Sequence, residues 1–237
     1  MKAVTVFFLF VVSSFISNAQ KETSYAEKMA KTVMTIWKDS MTSGNRPAKW
    51  TYDQGVILKG IEGLWKQTGE GKYYDYIQNS MDHFVDNDGT IRTYKKEDYN
   101  LDNILCGRNL LMLYKATGKE KYYKAASTLR NQLRQQPRTN EGGFWHKKIY
   151  PNQMWLDGLY MAEPFYAEWA ASFHEDSDFN DIANQFIIIE KHARDPKTGL
   201  LYHGYDESKQ QAWANKTTGL SPNFWARAMG WYGMALV

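Results

Sequence analysis

The chain has 237 residues, enough for one large domain or two small ones with a sizeable buried core. Its net charge is only +3, from 29 basic and 26 acidic residues, so nothing in the balance asks for nucleic acid or an anionic membrane as partner. Aromatic content is what departs from the ordinary: nine Trp and sixteen Tyr against eleven Phe, flat apolar faces with a polar edge that suit sugar rings as well as protein cores.

In chain order, the first feature is a processing segment. Lys2 precedes a mostly apolar run over residues 4–16, and Ser17-Asn18-Ala19 has the small residues of a cleavage site. Residues 1–19 therefore read as a signal peptide, with Gln20 first in the mature chain and export to the periplasm or medium expected. The run is short for a membrane span, no second one follows, and no Cys stands after it for a lipid anchor. No membrane attachment is expected once the signal is removed. The single cysteine, Cys106, sits in Ile104-Leu105-Cys106-Gly107 and reads as a buried small hydrophobe.

Ser24-x-x-Glu27 is a capping box, and Tyr25, Met29, Val33 and Trp37 follow at helical spacing. Turn residues at 43–47 break that pattern. A second helix is predicted over about residues 53–68, stopped by Gly69 and Gly71, and a third over about residues 72–84. The plan then recurs at an offset of 49: Leu64-Trp65-Lys66-Gln67-Thr68-Gly69 matches Leu113-Tyr114-Lys115-Ala116-Thr117-Gly118, Lys72-Tyr73-Tyr74 matches Lys121-Tyr122-Tyr123, and Asp53 maps onto Asp102. This is an internal repeat of helix pairs. A third, stretched unit opens at Asp157, 55 residues after Asp102, with a first helical region reaching Trp169 and a second helix over 178–192. A fourth begins near Pro222-Asn223 and runs through Trp225 to Trp231. The chain ends at Val237 inside an apolar helical pattern, which reads as an incomplete domain.

Links within pairs are short, whereas those between pairs (86–99, 137–153 and 195–221) are long and rich in aromatic, Gly and polar residues. Residues 90–94 and 199–203 within them read as short strands. If helix pairs stack side by side, every first helix begins at the same end, beneath those loops. Asp53, Asp102, Asp157 and the 225–231 segment then gather on one rim, joined by His146 and His203.

Each group has two readings there. The aspartates are either helix caps or a pair of carboxylates for acid/base work, in which one charge raises the other's pKa and keeps a proton available. Arg227 and a histidine suit a substrate carboxylate; Trp155, Trp225 and Trp231 suit a sugar face or the core. No His-Glu-x-x-His, paired Cys, Gly-rich phosphate loop or Gly-x-Ser-x-Gly is present, and neither a metal nor an organic cofactor is expected.

These residues carry a resemblance. Phe144-Trp145-His146, then Tyr150-Pro151-x-Gln153-Met154-Trp155-Leu156-Asp157-Gly158-Leu159-Tyr160-Met161, is similar to the unsaturated rhamnogalacturonyl hydrolases, glycoside hydrolase family 105. So are Asn100-Leu101-Asp102-Asn103-Ile104, Leu201-Tyr202-His203-Gly204 and Trp225-Ala226-Arg227-Ala228-x-Gly230-Trp231. The resemblance implies an all-α (α/α)6 barrel, six helical hairpins closed in a ring with the site at one mouth. Residues 20–237 would form an incomplete barrel lacking its C-terminal part. It also implies substrates left by pectin lyases, whose terminal uronate carries a C4=C5 double bond. Asp157 would donate a proton to C4, water would add at C5, and Asp157 or Asp102 would take up the water's proton. Asp102, His146, His203, Trp225, Arg227 and Trp231 fall on family site positions, and Tyr52 does so through the shorter context Trp50-x-Tyr52. Two rivals stand beside this reading: an unsaturated glucuronyl hydrolase acting on glycosaminoglycan fragments, and a non-catalytic sugar-binding helical repeat.

Overall fold

The computed structural model describes residues 23–38, 40–42 and 47–237; the segment read as a signal peptide and the break at residues 43–46 lie outside them. Eight α-helices are present among the described residues: α1 (Tyr25–Ile36), α2 (Tyr52–Thr68), α3 (Gly71–Asp82), α4 (Gly107–Thr117), α5 (Glu120–Arg134), α6 (Leu156–Phe173), α7 (Asp178–Ala193) and α8 (Ala226–Ala235). Two strands, β1 (Gln153–Trp155) and β2 (Gly204–Asp206), form one antiparallel ribbon.

The repeat is visible in the hydrogen bonds. Thr68 Oγ1 donates to Leu64 O and Thr117 Oγ1 to Leu113 O, while the Glu70 and Lys119 amides donate back to those two hydroxyls. Gly69 and Gly118 then turn left-handed (φ 71° and 66°) and end α2 and α4 at equivalent places. The aromatic clasp of each hairpin also repeats, with Trp65 5.1 Å from Tyr74 and Tyr114 5.4 Å from Tyr123. In the third hairpin His174 takes the left-handed cap position (φ 58°), so α6 runs to Phe173, one turn beyond the expected limit at Trp169.

The first helices of the pairs, α2, α4 and α6, pack side by side with α8 against α6, and each second helix packs on its own partner. The core lies between these layers, centred on side chains such as Leu58, Ile77, Leu110, Leu129 and Phe165. Cys106 belongs to it, its thiol donating to Thr51 O at 3.2 Å and pushed up to about 12 by burial. The α1 capping box forms as expected, with Glu27 N on Ser24 Oγ and Ser24 N on Glu27 Oε2. The apolar residues expected to anchor α1 do not all bury: Tyr25 is 89% exposed and Met29 66%.

The loops differ from expectation. Residues 90–94 and 199–203 contribute single bridges, Val85 to Ile91 and Arg194 to Leu201, and the paired strands lie instead at 153–155 and 204–206. Asp102 does not open a helix; it sits on a 3₁₀ turn, Leu101–Asn103, that precedes α4.

Candidate active site

The long loops are knitted by backbone bonds, and those bonds place the polar groups. Leu101 N donates to His146 O at 3.1 Å and His146 N donates to Gln153 O at 2.8 Å, so the 3₁₀ turn, the His146 loop and β1 lie edge to edge. That arrangement sets the Asp102 carboxylate between Lys147 and His146: Lys147 Nζ is 2.6 Å from Oδ2, and His146 Nε2 is 3.3 Å from Oδ1. Next, β1 pairs with β2 so that Trp155 faces Gly204, and Leu156 N continues the ladder to His203 O at 3.0 Å. Two residues past β1 and one residue before β2, Asp157 and His203 meet, with Oδ2 and Nε2 2.9 Å apart.

Trp155 lies between the two acid–imidazole pairs. Its indole stacks on His146 at 4.5 Å and on Tyr150 at 4.9 Å, and is tilted 5.5 Å from His203. His203 in turn meets Trp225 edge-on at 4.9 Å, and the Arg227 guanidinium lies 3.9 Å over the Trp225 ring. Tyr52 and Trp231 form a further group: Trp231 stacks on Tyr160 of α6 at 5.1 Å and meets Tyr52 edge-on at 6.3 Å. Burial raises the Tyr52 phenol, Asp53 and Asp102 add to that shift, and the charge of Arg227 opposes it. Tyr52, Asp102, His146, Asp157, His203, Trp225, Arg227 and Trp231 thus stand near the loop end of α2, α4, α6 and α8.

Neither Asp102 nor Asp157 is a helix cap. The α6 N-cap is Trp155, without a side-chain cap bond, and Asp157 lies in the first turn with its carboxylate spent on His203. On the 3₁₀ turn it is the Asn100 side chain that accepts from Asp102 N. Asp102 is not the member whose pKa is raised, should the two carboxylates act as a pair. Burial alone would lift the Asp102 carboxyl, but His146 and Lys147 hold it down to about 2. It is an anion at neutral pH and holds no proton in reserve.

This carboxylate predicts a pH dependence of stability. A depressed folded value stabilises the protein above the ordinary carboxylate pKa of 3.8 and loses that contribution as pH falls through about 2. Denaturant titrations should show about 2 kcal/mol lost across that interval, and Asp102→Asn should remove this component. An unchanged acid limb in the variant would mean that Lys147 and His146 do not hold the carboxylate.

Beside the Asp157–His203 pair a cavity of about 760 Å³ opens, lined by Tyr150, Trp155, Trp213, Phe224 and Trp225 with Gln153 and Gln211 among its polar groups. Sites of this size enclose small organic ligands. Lys147 and Trp213 were not among the residues the sequence singled out. Trp213 had a signal, a lone indole in a polar loop; Lys147 had only its position next to His146.

Stacked helical hairpins with acid, imidazole and indole groups gathered under their long loops define a scaffold of the glycosidase type. Residues 25–237 match the model of Glycosyl Hydrolase Family 88, and the chain belongs to that family. A family 105 glycoside hydrolase of C. acetobutylicum is 50% identical with a TM-score of 0.84, the match covering 90% of this chain and 57% of that one, so the resemblance to family 105 and to its (α/α)6 barrel holds. A possible member of the same family from Klebsiella pneumoniae, 20% identical, shares the fold with a TM-score of 0.71 over 99% of this chain and 63% of its own. The Unsaturated rhamnogalacturonyl hydrolase YesR of Bacillus subtilis is 27% identical over 193 residues, which is 79% of this chain and 52% of that protein. The chain spans about half the length of this curated relative.

Proposed function

We propose that the protein is a hydrolase that removes the terminal 4,5-unsaturated galacturonate from oligosaccharides left by rhamnogalacturonan lyases. The observation that carries this reading is the Asp157–His203 pair, 2.9 Å across, whose imidazole lines an aromatic-walled cavity. Likeness to YesR supports the substrate class, and likeness to the family 105 structure supports a glycoside hydrolase.

His203 holds the Asp157 carboxyl in place across this hydrogen bond, and Asp157 delivers a proton to C4 of the bound sugar. The C4=C5 electrons form the new C–H bond, and positive charge develops at C5 beside the ring oxygen. Water attacks C5 as its proton returns to the Asp157 carboxylate, which restores the acid. The C5 hemiketal then opens to a ketone by breaking the bond from C5 to the ring oxygen. That leaves a hemiacetal at C1, which releases the remaining sugar as an alcohol. No glycosyl ester forms, so the carboxylate spacing of retaining and inverting glycosidases has no bearing here.

The ionised Asp102 stabilises the cationic C5 and orients water, with its charge fixed by Lys147 and His146. Arg227, exposed and without a carboxylate partner among the described residues, receives the uronate carboxylate, and the adjoining indoles take sugar faces. The export signal read over residues 1–19 supports a site of action outside the cytoplasm.

The test is a panel of unsaturated disaccharides followed by loss of the double bond's ultraviolet absorbance. Rhamnose-linked substrate should be consumed with the highest kcat/KM. Preference for an amino-sugar-linked glucuronate would establish the glycosaminoglycan reading instead. Binding without turnover on every member would leave only a sugar-binding protein.

A further inference from the structure

Behind His146, on its Nδ1 side, lies a small cavity of about 10 Å³. Its walls include Leu101, Phe144, Met154 and Leu159, so it is mostly apolar. Two atoms at its margin lack partners, Nδ1 of His146 and Oε2 of Glu163, and both residues are 2% exposed. The remaining polar neighbour, Gln185, is already committed. Its Oε1 accepts from Phe144 N at 2.7 Å, and its Nε2 donates to Gly142 O and Asp181 Oδ1 at 3.1 Å each.

A buried polar atom left unpaired forfeits its hydration with nothing in return, so the two groups have every reason to satisfy one another. The two atoms make no direct bond, and the cavity is about the size of one water molecule, which allows a bridged bond between them. Gly158 keeps the approach open: a Cβ there would stand 3.0 Å from Nδ1 and 3.2 Å from Leu101 Cδ1.

We propose that Glu163 is a positioning residue, bonded across this cavity to Nδ1 of His146, and that it directs the imidazole N–H from Nε2 onto the Asp102 carboxylate. The inference rests on the reading of Asp102 and His146 as part of the active site.

The direction follows from which group donates. Burial raises the Glu163 carboxyl well above the usual range, the nearby Asp181 charge adds to this, and Arg138 only partly opposes it. Glu163 therefore keeps its proton and presents an O–H. An O–H donor facing Nδ1 makes that nitrogen an acceptor, so the ring's own proton sits on Nε2, 3.3 Å from Asp102 Oδ1.

The experiment is ¹⁵N–¹H spectroscopy of the five ring systems of ¹⁵N-histidine-labelled protein, with the His146 signals assigned by their loss in His146→Gln. The native protein should show His146 as the Nε2–H tautomer. Glu163→Gln, whose amide N–H₂ donates as the acid does, should retain it, whereas Glu163→Met should lose the single-tautomer pattern. An unaltered Nε2–H tautomer in Glu163→Met would overturn the proposal. So would an Nδ1–H tautomer in the native protein or in Glu163→Gln, which decides the matter if the Met variant does not fold. These spectra require no turnover, so failure of the proposed activity and failure of this inference are read separately.

Discussion

Asp157→Asn is expected to lower kcat on the unsaturated disaccharide by about three orders of magnitude, the range removed with a general acid. The amide is nearly the size of the carboxyl and still bonds to His203, but it has no transferable proton for C4. The substitution is mild for the fold, because the α6 N-cap is Trp155 and no cap bond involves Asp157. Loss of a favourable charge in the first turn of α6 should cost less than about 1 kcal/mol. Activity by ultraviolet absorbance, read beside thermal unfolding, checks both parts. A variant that turns over near the native rate would remove Asp157 from proton transfer and leave His203 as the donor.

The contrast between Asp157 and Asp102 shows what local pattern can and cannot convey. The repeat was legible because the same short-range chemistry is written twice at an offset of 49: the Thr hydroxyls on Leu64 and Leu113 carbonyls, the left-handed Gly69 and Gly118, and the Trp65–Tyr74 and Tyr114–Tyr123 clasps. From it follow the helix pairs and the common end at which they begin. The Gln153–Met161 string added the family, which composition and spacing alone did not reach.

What stayed hidden depends on contacts between distant segments. Asp102 was legible as an acid at the rim, but its charge state is set by Lys147, 45 residues away. That contact exists because Leu101 N bonds to His146 O, a loop-to-loop link with no periodic signature. The same holds for the ribbon: three-residue strands are too short for alternation to mark, and pairing of Trp155 with Gly204 is what brings His203 to Asp157. The Glu163 carboxyl looks in sequence like any helical glutamate; only burial against His146 gives it a role.

Trp155→Ala is the substitution expected to disturb most at once. The indole touches His146 on one side and Tyr150 on another, reaches toward His203, and donates from Nε1 to Gln153 Oε1 at 3.1 Å. Truncation removes a half-buried ring and two stacked pairs, for a loss of about 3 kcal/mol in unfolding free energy. It also frees both imidazoles, since the ring is the wall against which each is set. Loss of kcat should therefore exceed what weaker sugar binding alone would give, whereas a ring that served only as a sugar platform would raise KM and leave kcat unchanged. Trp155→Phe separates the contributions: it keeps a flat face against His146 and gives up the bond to Gln153. If the Phe variant recovers stability and kcat together, the indole acts as the spacer between the two acid–imidazole pairs. If it recovers stability while kcat stays at the Ala level, the Nε1 bond to β1 is what holds the Asp157–His203 geometry.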